Sequence, residues 1–246
     1  MSPLPVKLFC LPCAGASATM YLRWRRLLPA WIEIVPLELP GRGSRMTEPV
    51  LREFDVLSAL LCQELLPGLT GPYALFGHSM GALLAYDVVN KLRENKAKMP
   101  EALFVSACAA PSGRTDEYFP GEKDTPLLIA DLHKHGGTPG ELFSDAELLR
   151  MAVNLLGADY RICESFQHYN LPPLPVPISV FAGKDDDIEE QRLAAWKYES
   201  TMGITLDWFD GGHFFIRQNE ASLLNIIVTR LKRERLLSLN REILCA

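Results

Sequence analysis

The stretch Tyr73-Ala-Leu-Phe-Gly-His-Ser-Met-Gly-Ala-Leu-Leu-Ala-Tyr86 joins a short apolar run to a helical pattern through a turn with two glycines. The apolar run follows a Gly-Pro turn signal and predicts a buried strand, and the apolar residues after Gly81 recur at helical spacing. Between them, Gly77-His-Ser-Met-Gly81 has the G-x-S-x-G spacing that exposes a serine hydroxyl on a sharp, strained turn. We therefore predict that Ser79 is a nucleophile. The alternative is a serine that lies by chance between two loop glycines.

Length and composition limit the class of protein. The chain has 246 residues, of which 48% are hydrophobic and 22% are charged, which favours a single α/β domain over residues 1–246. The net charge of −5 gives no electrostatic reason to expect a nucleic acid or an anionic membrane as partner. No apolar stretch approaches the length of a membrane span, and the first residues lack the pattern of a signal peptide. We expect a cytoplasmic protein that is a monomer, since no coiled-coil pattern is present.

The six cysteines of this chain are better interpreted as reduced thiols than as disulfides. Cys10-Leu-Pro-Cys13 matches the C-x-x-C spacing of redox and metal sites. A redox site needs a helix that begins at the first cysteine, and a zinc site needs a second pair of ligands. Because the sequence suggests neither, we expect Cys10 in the core and Cys13 in the loop that follows a strand.

Apolar runs and helical patterns alternate along most of the chain, which predicts a mostly parallel sheet with helices on both faces. The predicted strands cover residues 6–11, 32–39, 73–76, 102–109, 178–182 and 205–209. The predicted helices cover residues 21–31, 52–66, 82–92 and 222–237. In the first of them Leu22, Leu27 and Leu28 are expected to face inward. The turn after the second strand is expected to leave Arg42 and Arg45 exposed.

The alternation stops between residues 111 and 177, where the pattern is helical and is interrupted by Gly136-Gly137 and a cluster of prolines. Ser144-Asp-Ala-Glu147 has the spacing of a capping box with Ser144 as the N-cap, so a helix is predicted to start there. We interpret residues 111–177 as a helical lid inserted over the site, with the glycines and prolines as its boundaries. The alternative is a pair of ordinary helices of the main domain.

Three candidate groups follow the ends of predicted strands. Ser79 follows the third strand, the run Asp185-Asp-Asp187 follows the fifth, and His213 follows the last. In an open α/β sheet these strand ends share one edge, and the chain order is that of the α/β-hydrolase fold. His213 would take the proton from Ser79, and one of the three carboxylates would orient the imidazole. The residues alone leave Asp185, Asp186 and Asp187 as equal candidates.

The other four histidines suit the role of base less well. His78 lies inside the turn and cannot easily face Ser79, and His133, His135 and His168 lie in the predicted lid. The spacing of His133 and His135 suits a metal on a strand, but no partner carboxylate is evident. We predict no metal and no cofactor.

An oxyanion hole needs two hydrogen-bond donors near Ser79. One is expected to be the backbone N–H of Met80, directly after the nucleophile, and the other the backbone N–H of Cys13 or Ala14 in the small-residue loop after the first strand.

Several further motifs are spread over nearly the whole chain. They are Leu11-Pro-Cys-Ala-Gly-Ala16, Leu39-Pro-Gly-Arg-Gly-Ser-Arg-Met-Thr-Glu-Pro49, Gly77-His-Ser-Met-Gly81, Gly136-Gly-Thr-Pro139 with Glu147-Leu148, Ala158-Asp-Tyr160, Gly183-Lys-Asp-Asp186 and Gly212-His-Phe-Phe215. Together they resemble the stand-alone (type II) thioesterases that accompany non-ribosomal peptide synthetases and polyketide synthases. The resemblance implies an α/β-hydrolase fold, Asp186 as the acid of a Ser-His-Asp triad, and Cys13 as the second oxyanion donor.

The resemblance also implies a reaction, the hydrolysis of acyl or aminoacyl thioesters on the phosphopantetheine arm of carrier-protein domains. Such enzymes clear stalled or mis-primed groups through an acyl-serine intermediate, which water hydrolyses after the thiol departs. Family members often have Arg where this chain has Gly157, and a His or Tyr and a second Gly around Cys13 and Ala16, so the acyl preference stays open. The rival interpretations are a general carboxylesterase, lipase or acyl-CoA hydrolase, a chain-terminating domain cut from a synthetase, and a non-catalytic α/β-hydrolase that binds a ligand.

Overall fold

One parallel sheet of six strands runs through the described part of this computed structural model, which comprises residues 4–114, 118–134 and 140–244, with side chains as far as Leu237. The strands are β1 (Val6–Leu11), β2 (Ile32–Pro36), β3 (Tyr73–His78), β4 (Ala102–Ser106), β5 (Ile178–Gly183) and β6 (Ile204–Phe209). They lie in the order β2-β1-β3-β4-β5-β6, and each neighbouring pair is parallel. Because β1 pairs with both β2 and β3, the strand order reverses there and opens a crevice at the carboxyl ends of β1 and β3.

Helices cover both faces of the sheet. They are α1 (Phe54–Leu65), α2 (Met80–Glu94), α3 (Thr125–Lys134), α4 (Ala146–Ser165), α5 (Glu190–Ala194), α6 (Phe215–Gln218) and α7 (Glu220–Leu244). Short 3₁₀ helices cover Ala18–Arg26, Gly43–Arg45, Leu66–Gly68, Pro111–Gly113, Gly140–Ser144 and Ala195–Tyr198. None of the helices within the described ranges is both long enough and apolar enough to cross a membrane.

Neighbouring residues of the central strands pack on opposite faces of the sheet, as the two-residue period of a strand requires. Leu75 of β3 belongs to a buried cluster with α1 and α2, whereas the next residue, Phe76, belongs to a second cluster with Trp24 and Leu223. The two clusters bury the sheet on both sides. This double burial explains the nearly continuous apolar strands of the sequence and confirms the predicted parallel sheet.

The first helix differs from the prediction in place and in type. It is a 3₁₀ helix over Ala18–Arg26, in which Tyr21 and Trp24 are buried while Leu22 is exposed, and Leu27, just after it, is exposed as well. A 3₁₀ helix has three residues per turn, so positions three apart share one face. The prediction that Leu22 and Leu27 point inward assumed an α-helix and is wrong.

The helical region between residues 111 and 177, called segment 111–177 below, contains α3 and α4. α4 begins one residue later than the capping box predicted. The side chain of Asp145 is the N-cap and accepts hydrogen bonds from the N–H groups of Glu147 and Leu148, at 2.9 and 3.0 Å. Ser144 instead ends the preceding 3₁₀ helix and donates its hydroxyl to the carbonyl of Glu141 at 3.0 Å. The prediction of a helix start is confirmed, but Asp145 replaces Ser144 as the cap.

Candidate active site

Ser79 is half-buried, whereas all the remaining residues from Tyr73 to Asn90 are buried. It lies between β3 and α2 with a φ of 55° and a ψ of −121°, a strained backbone for a residue with a Cβ. A Cβ on Gly81 would overlap the carbonyl oxygen of Leu11. The close approach of α2 to the end of β1 thus requires glycine at position 81, and this packing holds the strained turn in place.

A cavity of about 790 Å³ opens at the carboxyl ends of the strands, and Ser79 lies on its wall. The rest of that wall includes His213 and Asp186 from the loops after β6 and β5. Segment 111–177 supplies apolar side chains to the same cavity, among them Phe119, Leu127, Leu142, Leu156 and Tyr160. The serine hydroxyl is therefore next to a space lined partly by the main domain and partly by the helical segment.

His213 contacts one member of the acidic run that follows β5. Its Nδ1 lies 3.0 Å from Oδ2 and 3.2 Å from Oδ1 of Asp186. An ionised carboxylate can only accept a hydrogen bond, so Nδ1 donates and Nε2 keeps the lone pair that a base needs. Asp185 and Asp187 are exposed, and Asp187 pairs with Lys134 at 2.6 Å. Asp186 is thus the carboxylate of the run that is placed to orient the imidazole.

His78 is fully buried beside the site and does not line the cavity. Its Nδ1 lies 2.9 Å from the hydroxyl of Ser106, and its ring centroid lies 5.3 Å from that of His213. Burial holds the pKa of His78 well below its ordinary value, and the nearby charges of His213 and Arg217 lower it further. A positive charge on His78 would oppose the protonation of His213. Because His78 is neutral, it adds no such charge.

The loop after β1 and the first turn of α2 border the cavity together through Cys13 and Met80. The N–H of Ala16 donates to the carbonyl of Cys13 at 3.2 Å, which closes a turn in the loop. Met80 is the first residue of α2, and N–H groups at a helix start have no partner within the helix and attract negative charge. The start of α2 and the turn of the loop after β1 therefore both border the cavity that contains Ser79.

The cysteines of the C-x-x-C motif are both free and buried. Burial raises the pKa of the Cys13 thiol to about 12, so this thiol stays protonated at neutral pH. Among the described residues, no three or more His, Cys, Asp or Glu side chains form a group that could hold a metal ion. His133 stacks on Phe143 with ring centroids 3.7 Å apart, and His135 lies outside the described residues.

Comparisons with known proteins point to one family. A family model described as a thioesterase domain matches residues 6–231. The chain belongs to this thioesterase family. The gramicidin S biosynthesis protein GrsT of Aneurinibacillus migulanus is 30% identical, with 94% of this chain and 91% of that protein covered. The thioesterase PikA5 of Streptomyces venezuelae is 30% identical over 92% of this chain and 81% of that protein. The solved structure of RedJ, a thioesterase from the prodiginine biosynthetic pathway in Streptomyces coelicolor, matches with a TM-score of 0.86 and 31% identity over 94% of each chain.

These similarities confirm the predicted family and the α/β-hydrolase fold, and they identify the protein as a thioester hydrolase. In this thioesterase the structure gathers the sequence-predicted residues Ser79, Asp186, His213, Met80 and Cys13 around one cavity. Ala14, the other candidate for the second oxyanion donor, lines it as well. The Gly-Gly-Thr-Pro motif at residues 136–139 lies outside the described residues.

Sequence reasoning missed one feature of the thioesterase, a buried ion pair next to the site. Arg42 was expected to be exposed, but its side chain is only 3% exposed and pairs with Asp159 of α4, which is fully buried. Arg42 Nη1 and Nη2 donate to the two carboxylate oxygens of Asp159, each at 2.6 Å. The available signal was a carboxylate at position 159 within an apolar helical stretch, because a buried carboxylate needs a cation partner.

Proposed function

We propose that this thioesterase removes acyl and aminoacyl groups from the phosphopantetheine arm of carrier-protein domains, and so clears stalled or mis-primed groups from biosynthetic assembly lines. The observation that carries the proposal is the shared cavity, where Ser79 on its strained turn joins a histidine that donates to Asp186. The relatives give the context, since GrsT and RedJ are named for the biosynthesis of gramicidin S and prodiginine.

In the acylation step, the hydroxyl oxygen of Ser79 attacks the thioester carbonyl carbon while Nε2 of His213 takes the hydroxyl proton. Asp186 holds the imidazole through Nδ1 and stabilises its positive form. The backbone N–H groups of Met80 and Cys13 donate to the oxygen that becomes negative. The carbon–sulfur bond then breaks, and His213 returns the proton to the departing thiol.

In the deacylation step, a water molecule gives a proton to His213 and attacks the acyl group on Ser79. The ester bond breaks, the proton passes back to the serine oxygen, and a free carboxylic acid leaves. Water attacks an acyl group in a partly enclosed, apolar space, where the dipoles of the oxyanion hole act more strongly than in bulk water.

We propose that segment 111–177 serves as a lid over this cavity. Its apolar side chains form part of the wall of the cavity that contains Ser79, so an acyl chain attached to Ser79 would lie against α3 and α4. Lids of this kind admit the substrate and then shield the reaction from bulk water. The identity of the lining side chains would set which acyl groups fit.

The partner and the cellular setting are part of the same proposal. The substrate is a thioester carried by a protein domain, so the partner is an acyl or peptidyl carrier domain that presents its arm at the cavity mouth. Five cysteines of the described residues are buried thiols outside any disulfide, as suits a reducing cytoplasm. We propose that the enzyme acts there as a monomer.

The test is hydrolysis of acetyl-, aminoacyl- and longer acyl-loaded carrier protein, compared with the matching coenzyme A thioesters and simple esters. We expect faster clearance of the carrier-bound groups. Ser79→Ala should lower kcat at least about a thousandfold because no nucleophile remains. Ser222→Ala is the matched control, since Ser222 is exposed on α7 and does not line the cavity. If simple esters are hydrolysed rapidly while thioesters are inert, the protein is an ordinary carboxylesterase. If coenzyme A thioesters are hydrolysed as fast as carrier-bound thioesters, it is an acyl-CoA hydrolase.

A further inference from the structure

The buried pair between Arg42 and Asp159 has no direct part in the steps above, because neither residue lines the cavity. Both side chains are nevertheless removed from water, with 3% and 0% of their surfaces exposed. Removing two charges from water is costly, and an apolar pair of similar shape often gives equal or better stability. Stability alone is therefore a weak explanation for an ion pair at this position.

The pair also binds the loop that follows β1. Besides its two contacts with Arg42, Oδ2 of Asp159 accepts a hydrogen bond from the N–H of Gly15 at 2.7 Å. Arg42 Nη1 donates to the carbonyl of Ala16 at 3.2 Å. The carboxylate thus holds the peptide group between Ala14 and Gly15, and the guanidinium holds the one between Ala16 and Ser17.

These contacts lie two and three residues from Cys13. The N–H of Ala16 donates back to the carbonyl of Cys13, so the residues held by the ion pair and Cys13 belong to one closed turn. Gly15 adopts a φ of +72°, and a Cβ there would lie 3.4 Å from the side chain of Leu156 in α4. The loop therefore has a left-handed backbone conformation that suits glycine, and it lies against the same helix that carries Asp159.

We propose that Asp159 and Arg42 are positioning residues that orient the backbone N–H of Cys13 toward the developing oxyanion. The inference rests on the proposed function, in which this N–H is the second oxyanion donor. It adds that segment 111–177 takes part in building the oxyanion hole, because the carboxylate that holds the loop belongs to α4. Loss of the pair should therefore lower turnover without removing any group that touches the substrate.

The main test replaces both charges at once. Arg42→Met with Asp159→Leu leaves no unpaired buried charge, so the protein should stay folded. The N–H of Gly15 loses its acceptor in this double variant. We expect kcat on acyl-loaded carrier protein to fall about a hundredfold, the usual effect of a lost oxyanion donor, with KM within about threefold of wild type. The rate of Ser79 phosphonylation by a fluorophosphonate should fall in parallel, because that reaction also places negative charge in the oxyanion hole.

Two further variants separate positioning from simple packing. Arg42→Met with Asp159→Asn keeps an amide oxygen that can accept from the N–H of Gly15, and we expect it to recover about tenfold in kcat over the Leu variant. Arg42→Lys keeps the charge opposite Asp159 but loses the two-pronged contact, and we expect a loss of about tenfold in kcat in a folded protein. If the pair is purely structural, the Asn variant and the Leu variant should have the same kcat once both are folded.

The matched control is Arg52→Met with Glu122→Leu. Arg52 and Glu122 also join segment 111–177 to the main domain, at 2.6 Å, but they are more exposed, and this ion pair does not include the loop after β1. We expect kcat of this control to equal that of wild type. The positioning role is wrong if the Arg42→Met and Asp159→Leu double variant keeps kcat within about twofold of wild type. If that double variant does not fold, Arg42→Lys decides by the same criterion. In either case Ser79→Ala tests the proposed function separately. If Ser79→Ala remains active, the proposed function fails first.

Discussion

The turn around Ser79 and segment 111–177 border the same cavity but are held in different ways. All six residues of β3 and twelve of the 15 residues of α2 are buried in the main core. In α3, Leu128 alone of ten residues is buried. The C-terminal part of α4 belongs to the main core through Ile162 and Cys163. The turn is therefore fixed by the whole domain, whereas α3 rests on a small separate cluster that it shares with α4.

That cluster contains Leu128, Val153, Leu156 and Tyr160, with partly buried neighbours such as Phe119. Regions with few buried apolar contacts open with less free energy than the core. This difference in burial is what the proposed lid requires, since Ser79 lies in a tightly packed turn and α3 has few buried contacts. The buried carboxylate of Asp159 in α4 is one of the contacts that tie segment 111–177 to the main domain, in this case to the loop after β1.

The largest expected effect in this comparison comes from adding one methyl group at a glycine of the turn. In Gly81→Ala the new Cβ would overlap the backbone oxygens of Leu11 and Pro12, so α2 must move away from β1. We expect a loss of about 3 kcal/mol or more in the free energy of unfolding, together with loss of activity. Urea denaturation and carrier-thioester turnover measure the two effects.

Gly121→Ala is the matched change in segment 111–177, because no atom lies within 4 Å of a Cβ built at that position. We expect its free energy of unfolding to stay within about 0.5 kcal/mol of wild type. Similar losses for Gly81→Ala and Gly121→Ala would contradict the idea that the turn is the more tightly constrained region.

The same contrast explains what the sequence predicts well. Ser79 and its turn follow from local spacing, and the placement of Ser79 and His213 on one cavity follows from chain order in a parallel sheet. The exposure predicted for Arg42 was wrong because its partner Asp159 lies 117 positions away in the chain. A turn motif does not reveal that a distant helix will cover it, so contacts of this kind depend on tertiary packing that local patterns do not encode.

A smaller effect is expected from deleting buried leucine side chains in the two regions. Leu84 of α2 and Leu128 of α3 are both fully buried. Leu84→Ala should lower the free energy of global unfolding by about 3 kcal/mol, as large-to-small changes in a main core do. Leu128→Ala should lower it by about 1 kcal/mol or less and should speed amide hydrogen exchange in α3 and α4, because its cluster opens separately.

Urea denaturation and hydrogen exchange on both leucine variants decide the question. Equal losses of global stability, with unchanged exchange in α3 and α4, would mean that segment 111–177 unfolds as one unit with the sheet. That outcome would also weaken the proposal of a lid, since a lid must open while the rest of the domain stays folded.

The smallest effect concerns pH and again contrasts the two regions. His78 is buried in β3 with its pKa held well below the ordinary value, whereas His133 in α3 is exposed. In the unfolded chain His78 titrates near its ordinary pKa of about 6.5. Below that pH the unfolded state binds a proton that the folded state does not, so stability falls as pH falls. The contribution of this one histidine is at most about 1.4 kcal/mol for each pH unit.

His78→Asn should therefore be less sensitive to acid than wild type, even where its stability at pH 7.5 is lower through the lost contact with Ser106. Free energies of unfolding from urea titrations between pH 7.5 and 5.0 give the slopes. His133→Gln is the control, and we expect it to keep the wild-type slope because the side chain is exposed. If His78→Asn also keeps that slope, His78 takes up its proton in the folded state, and a neutral imidazole beside His213 is not a fixed feature of the site.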